Sequence, residues 1–288
     1  MGARVTFDCA VVNYRAYESL EGCLHSLVAQ ESENVGRIVV VDNSEVEPPG
    51  ALARRFPSVR WVVNEKNVGF AKAVNQALVL GSAPFVCLIN PDAVLSGPLW
   101  KPLEPFLARH PDCGIVGPKV VNQDGSLQGS ARSFPTLATS FFGRTSLLSR
   151  IRPQNLITRR NILVREGQVD PVDVDWVSGA CMFVRREAVE AVGPMDERFF
   201  LYWEDCDWCT RFRLSGWRVI YHPGAGPVVH QCGRASSHAR RRSLYHFHRS
   251  AVLLYWKYDS SPGRIASVAA LLGALVRFGL LNLRMGWR

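Results

Sequence analysis

Phe85-Val86-Cys87-Leu88-Ile89-Asn90-Pro91-Asp92 reads as a short, continuously apolar strand that stops on a polar turn. Apolar residues without alternation fit a strand covered on both faces, as in a parallel sheet. The same pattern recurs upstream. Val5 to Asn13 is a buried strand with polar residues at its end, and Tyr17 to Gln30 an amphipathic helix. Ile38 to Val41 is a β-branched run stopped by Asp42-Asn43-Ser44, Val59 to Asn64 a third strand, and Gly69 to Leu80 a second helix. Strand and helix alternating at this spacing predict βαβ units around a mostly parallel sheet. Ligands of such sheets bind beyond the carboxyl ends of the strands. Asn13, Asp42, Asn64 and the Asn90/Asp92 pair all fall at those ends.

Downstream the pattern loosens. Pro98 to Arg109 fits a helix with proline in its first turn, and Gly114 to Val121 a strand. Strand character returns between Val172 and Val184 around Ser178-Gly179-Ala180, then Trp203 to Ser215 reads as a helix opening with acids, which its dipole favours. Trp217 to Tyr221 and Pro227 to His230 complete the strands. Residues 132 to 165 hold seven arginines and no acid, with Phe141-Phe142 and Leu147-Leu148 among them: a solvated basic loop, or a flap facing lipid or phosphate.

The chain has 288 residues, 47% hydrophobic and 20% charged, enough for a packed core and outside the range of disordered or collagen-like chains. Its net charge of +9 is unevenly placed. Residues 208 to 288 carry thirteen Lys/Arg and a single acid, Asp259, whereas residues 1 to 207 carry slightly more acid than base. The cationic end suits nucleic acid, anionic lipid or a phosphorylated substrate. Met1 to Tyr14 lacks the pattern of a secretory signal. Eight cysteines without recurring paired spacing fit a reducing cytosol, and Cys206-x-x-Cys209 lacks the second half that zinc would need.

Several constellations carry chemistry. A carboxylate at a strand end, as in Asn90-Pro91-Asp92, holds Mg²⁺ or Mn²⁺ while substrate phosphates complete the shell; a plain turn has the same composition. Asp42 would accept hydrogen bonds from a base or ribose, or cap a turn. Gly69 allows a ligand close to a helix start, beside Asn67, and Asn75 would point from that helix toward the strand ends. Glu204, Asp205 and Asp207 place three acids in one turn among Phe199, Phe200, Tyr202, Trp203 and Trp208. An ionised carboxylate beside aromatic faces suits removal of a proton from a sugar hydroxyl. His230, at a strand end, suits a metal or phosphate. His222, His230, His238, His246 and His248 cluster with Arg234 and Arg240-Arg241-Arg242, a set that suits a diphosphate.

In order, Val12-Asn13-Tyr14, Val41-Asp42-Asn43-Ser44, Asn67 to Asn75, Asn90-Pro91-Asp92, Val174 to Ala180, Phe199 to Asp207 and Val228-Val229-His230 resemble a family 2 glycosyltransferase of the GT-A fold, and within it the bacterial rhamnosyltransferase-like branch. The resemblance implies a Rossmann-like, mostly parallel α/β sheet flanked by helices, with a C-terminal helical tail. It divides the chain into a catalytic domain over 1–238, whose nucleotide-sugar half is 1–95 and acceptor half 96–238, and basic amphipathic helices over 239–288. It implies an inverting, metal-dependent transfer from a nucleotide sugar, dTDP-rhamnose or a UDP-sugar, to a polyprenyl-diphosphate-linked or polysaccharide acceptor in surface-glycan synthesis. By position, Asp205 would be the general base with Glu204 beside it. Asn13, Asp42, Asn67, Gly69, Asn75 and Asn90 would serve the donor, Asp92 and His230 the metal, and Trp176, Gly179 and Trp203 the acceptor. Asn90 stands where many members have Asp, which leaves Asp92 as the sole carboxylate of that motif.

The apolar run of twelve at residues 265 to 276 is short of the roughly 20 residues a membrane span needs. Arg277, Arg284 and Arg288 would share one helix face, so the tail is expected to lie on an anionic membrane at the cytoplasmic face. Packing on the body or on a second subunit is the alternative. A nucleotidyltransferase and a nucleic-acid-binding scaffold are the competing functions. The first lacks its phosphate loop within residues 13 to 22, and the second leaves the polar strand ends unused, so nucleic acid is not expected as a partner.

Overall fold

The computed structural model describes residues 6–30, 34–46, 50–97, 99–136, 161–231 and 240–286. Strands β1 (Phe7–Asn13), β2 (Val35–Asp42), β3 (Val59–Val63) and β4 (Phe85–Ile89) alternate with helices α1 (Tyr17–Val28), α2 (Gly50–Arg55) and α3 (Phe70–Leu78). β1 pairs in parallel with β2 and β4, and β2 with β3. Successive strand residues serve opposite faces. Phe7, Cys9, Val11, Ile38, Val40, Phe85, Cys87 and Ile89 enter one core with Leu20, Cys23, Leu24 and Leu27 of α1. Ala10, Val12, Val39, Val41, Val86 and Leu88 enter the other with Ala71, Ala73, Val74 and Ala77 of α3. Both faces need apolar side chains, so the strand sequences do not alternate.

The chain continues through β5 (Ala93–Leu95), α4 (Trp100–Arg109), β6 (Cys113–Pro118), β7 (Val120–Val121), β8 (Ala131–Arg132), β9 (Val172–Asp173), β10 (Trp176–Val177) and β11 (Cys181–Arg185). Then come α5 (Arg186–Val192), α6 (Glu204–Leu214), β12 (Arg218–His222), β13 (Val228–His230) and α7 (Arg240–Tyr258). A 3₁₀ turn (Pro262–Arg264) leads into α8 (Ile265–Gly286). The main sheet has eight strands in the order β3-β2-β1-β4-β11-β6-β12-β9. The strand expected over Gly114 to Val121 is two, and the Val172 to Val184 stretch is three. β11 runs antiparallel between β4 and β6, a reversal that an apolar run cannot encode because composition has no direction. β5, β13 and β7 form a small second sheet that sets His230 opposite Ala93.

The expected boundary at residue 238 and the pair Arg234 and His238 lie outside the described residues, as do Phe141, Phe142, Leu147 and Leu148. α7 is fastened to the body. Lys257 Nζ lies 2.7 Å from buried Asp207 and 2.8 Å from Asp196, and the Tyr258 hydroxyl donates to Asp207 at 2.8 Å. α8 turns Ser267 and Ala270 inward and leaves Ile265, Val268, Leu271, Leu272, Leu275 and Val276 exposed. Its Pro262–Gly279 window is long and apolar enough to cross a membrane by length and composition alone. Arg277 departs from the expected outward face. Its guanidinium lies 5.9 Å over the Phe247 ring, against α7. Arg288 and the Arg284 side chain lie outside the described residues.

Candidate active site

The polar strand ends meet as expected, joined by hydrogen bonds. Asn13 and Asp42 are register partners on neighbouring strands. Asn13 Nδ2 donates to Asp42 Oδ1 at 3.1 Å and to Ser44 Oγ at 3.2 Å, while its carbonyl accepts the Ala16 N–H. Asp42 also accepts the Ser44 N–H at 2.9 Å and the Tyr17 hydroxyl at 2.7 Å. Burial, with the Asp42 charge adding to it, pushes the Tyr17 phenol up to about 12, so it remains a donor. Asn13 and Asp42 are fully buried, one layer behind the residues that line the cavity. Their observed contacts are internal.

In front of that layer is a cavity of about 240 Å³. Asn67, Gly69, Asn90, Asp92 and His230 line it together with Tyr202, Phe200 and Arg242. Asn67 Oδ1 accepts the Gly69 N–H at 2.9 Å, which turns the chain into α3. Gly69 has φ +91°, and a β-carbon there would lie 2.7 Å from the Phe200 carbonyl oxygen. That carbonyl accepts the Phe70 N–H at 2.7 Å, so glycine is required by close backbone packing as well as by the cavity. Asn75 departs from its expected place. Its side chain exchanges two 2.9 Å hydrogen bonds with the Met195 backbone and does not line the cavity.

Asp92 and His230 converge. The Gln128 amide nitrogen donates to the His230 carbonyl at 2.7 Å and to Asn122 Oδ1 at 2.9 Å, which fixes its oxygen toward His230 Nδ1 at 2.9 Å. His230 Nδ1 therefore carries a proton, and Nε2 is the nitrogen turned toward Asp92. Nε2 is 3.2 Å from Asp92 Oδ1, which is buried and makes no hydrogen bond, and 3.5 Å from Asn90 Nδ2. With the ring neutral, Nε2 and the carboxylate oxygen would be two electron-pair donors spaced to fit a divalent cation. Among the described residues no three His, Cys, Asp or Glu cluster to hold a metal. An ion on Asp92 and His230 would thus complete its shell with water and phosphate oxygens. Cys206 and Cys209 are buried free thiols.

The acidic helix start adjoins this cavity without lining it. Tyr202 and Trp203 are both left-handed, at φ 66° and 68°, a costly geometry that turns the chain sharply into α6. Asp205 Oδ2 accepts the Gly179 N–H at 3.0 Å, and Oδ1 the Cys206 N–H at 2.8 Å. The carbonyl of Ala180, next to Gly179, accepts the Asn90 N–H at 3.0 Å, so one short segment joins Asp205 to the Asn90-Pro91-Asp92 turn. Burial raises the Asp205 carboxyl above its ordinary range, against the pull of those two N–H groups. Burial, then the Asp205 charge, raises Glu204 further, and its Oε2 has no partner. Asp205, with two N–H donors, is the one better able to ionise. Asp207 is used up structurally by Arg211, Lys257 and Tyr258.

Trp176 and Trp203 sit beside this turn with ring centroids 6.2 Å apart. Their indole N–H groups donate to the Ser133 carbonyl at 2.9 Å and the Phe247 carbonyl at 3.2 Å. The sequence reading missed Gln128, a lone polar residue in a loop, and Ser243, which lines the cavity from α7 between Arg242 and His246 of the cluster suited to a diphosphate.

A family model described as "Glycosyltransferase like family 2" matches residues 4–246. An N-acetylglucosaminyl-diphospho-decaprenol L-rhamnosyltransferase of Mycobacterium tuberculosis is 32% identical over 256 residues, 82% of this chain and 81% of that protein. The dTDP-rhamnosyl transferase RfbF of Shigella flexneri is 26% identical over 216 residues, 74% of this chain and 66% of that protein. Among solved structures, GalNAc-T7 with UDP, GalNAc and Mn²⁺ superimposes with a TM-score of 0.62 at 14% identity. That match covers 91% of this chain but only 52% of the GalNAc-T7 chain, and it supports the GT-A fold alone. With its domain match and its rhamnosyltransferase relatives, the chain belongs to glycosyltransferase family 2.

Proposed function

We propose that this glycosyltransferase transfers L-rhamnose from dTDP-rhamnose, with inversion and with Mg²⁺ or Mn²⁺, to a hydroxyl of a polyprenyl-diphosphate-linked acceptor at the cytoplasmic face of the membrane. The observation that carries the reading is the convergence of Asp92 Oδ1 and His230 Nε2 at 3.2 Å on a cavity beside the start of α6. The names of the Mycobacterium and Shigella relatives support the sugar and the lipid-linked acceptor. The exposed apolar stripe of α8 supports the membrane setting.

In this reading Asn67, Gly69 and Asn90 shape the donor's seat, with Asn13 and Asp42 holding the strand ends behind it. Trp176, Trp203 and Gly179 flank the acceptor side. Asp205 takes the proton from the acceptor hydroxyl, whose oxygen attacks the anomeric carbon from the face opposite the nucleotide. The bond from that carbon to the diphosphate breaks, and its electron pair leaves on the β-phosphate oxygen. Asp92 and His230 would hold the divalent ion, which when bound offsets charge on the leaving diphosphate. Glu204, more readily protonated, limits the negative charge beside the base.

A panel of nucleotide sugars with Mg²⁺ or Mn²⁺, scored by nucleoside diphosphate release with and without a short polyprenyl-diphosphate-linked N-acetylglucosamine, tests the proposal. The expected result is acceptor- and metal-dependent release from dTDP-rhamnose. Preference for another nucleotide sugar would overturn the rhamnose assignment. Binding to DNA in a gel shift with no sugar transfer would overturn the whole reading.

A further inference from the structure

We infer that Arg242 and His246, on the first turns of α7, form the diphosphate-binding wall of the donor site, so that the C-terminal helix completes the cavity. This rests on the proposed nucleotide-sugar donor. The two residues are four apart and share one helix face. The His246 ring stacks on Phe200 with centroids 4.3 Å apart and planes 21° apart, and the Arg242 guanidinium lies 5.6 Å over the same ring. Phe200 is itself fixed by the Phe70 N–H on its carbonyl and by its contact with Gly69. The helix is fixed there too. Trp203 donates to the Phe247 carbonyl, and the Ser250 hydroxyl donates to the Leu201 carbonyl at 2.9 Å.

Charge points the same way. Among the described residues lining the cavity, Asp92 is the only carboxylate and Arg242 the only permanent cation. A divalent ion beside Asp92 leaves about one net positive charge, less than a nucleoside diphosphate brings. The Arg242 guanidinium supplies a second, in a planar form suited to paired phosphate oxygens. His246 Nδ1 is buried without a hydrogen-bond partner. Burial, then the charges of Arg242 and Arg249, hold its imidazole below the ordinary range, which leaves a neutral ring able to pack on Phe200.

The test is a titration of the full-length protein, with Mn²⁺, by dTDP, UDP and GDP and by the matching monophosphates, for wild type, Arg242→Gln and Arg242→Lys. Melting temperatures serve as the control for folding. Loss of one charged hydrogen-bonding partner is expected to weaken nucleoside diphosphate binding about tenfold to a hundredfold in Arg242→Gln. The preference for diphosphate over monophosphate should collapse and be partly restored in Arg242→Lys. An unchanged preference in a folded Arg242→Gln protein overturns the inference. So does a rise in KM for the lipid-diphosphate acceptor with nucleotide affinity unmoved, because Arg242 would then serve the acceptor. If wild type binds none of the three nucleoside diphosphates, the proposed function itself fails, and this inference with it.

Discussion

At the residue scale, the site turns on which carboxylate ionises. General-base assistance contributes about 10²- to 10⁴-fold, so Asp205→Asn is expected to lower transfer by that factor while donor binding and melting temperature stay near wild type. Because burial raises the Asp205 carboxyl, its ionised form is lost at a higher pH than for an ordinary carboxylate. The acid limb of kcat should therefore lie above about pH 4 in wild type, and a limb at or below that value would remove Asp205 from the role. Gln128 acts at one remove. With Gln128→Leu, His230 loses the acceptor that fixes its Nδ1 proton, and Mn²⁺ affinity, read by calorimetry with nucleoside diphosphate present, should fall about tenfold to a hundredfold. Gly69→Ala forces a β-carbon onto Phe200 at φ +91°, with an expected stability loss of about 1–3 kcal/mol by urea unfolding. The strand-end positions of Asn13, Asp42 and Asn90 were legible because each closes a buried apolar run, whereas the internal partners of Asn13 and Asp42, Ser44 and Tyr17, were not. Gln128 was not, because only the folded position of β13 gives it a partner.

At the scale of elements, the joint between α6 and α7 decides whether the cavity keeps its wall. Lys257 bridges Asp207 and Asp196, on α6 and the turn before it. Lys257→Met leaves Asp207 fully buried with Arg211 and Tyr258 as partners, and should cost about 2–4 kcal/mol at neutral pH. Arg198 first, then Lys257, holds the Asp196 carboxyl well below the ordinary range. Its folded-state advantage is present above the unfolded carboxylate range near 4 and fades on acidification, so the gap between variant and wild type should narrow there. A gap that widened with acid would contradict this linkage. The strands and helices up to β4 were legible because each shows its own periodicity. The antiparallel insertion of β11 and the path of α7 were not, since direction and docking are set by distant partners such as β6 and Phe200. The last turn before the acids shows the same limit: nothing local announces two consecutive left-handed residues at Tyr202 and Trp203.

At the scale of the whole molecule, the positive charge beyond residue 207 has several uses: Arg211 and Lys257 pair with Asp207, Arg213 with Asp175 and Arg218 with Asp173. Arg242 reaches the cavity from α7, whereas Arg277 of α8 packs over Phe247, away from that helix's exposed apolar stripe. A chain ending at Asp259 keeps Lys257 and Tyr258, hence the joint to α6, and removes the 3₁₀ turn and α8. It should lose co-sedimentation with vesicles rich in phosphatidylglycerol while retaining nucleoside diphosphate binding. Equal sedimentation of both chains, or a full-length dimer by light scattering that becomes monomeric on truncation, would assign the stripe to protein instead. The reversed strand β11 has a larger consequence. It places residues 179 and 180 where one backbone stretch reaches Asn90 on one side and Asp205 on the other, through main-chain N–H and C=O groups. In the proposed reading, the span between leaving group and proton acceptor is held by polypeptide backbone, which no exchange of side chains at 179 or 180 deletes. Substitutions in the cavity walls would then change which sugar fits without changing that span.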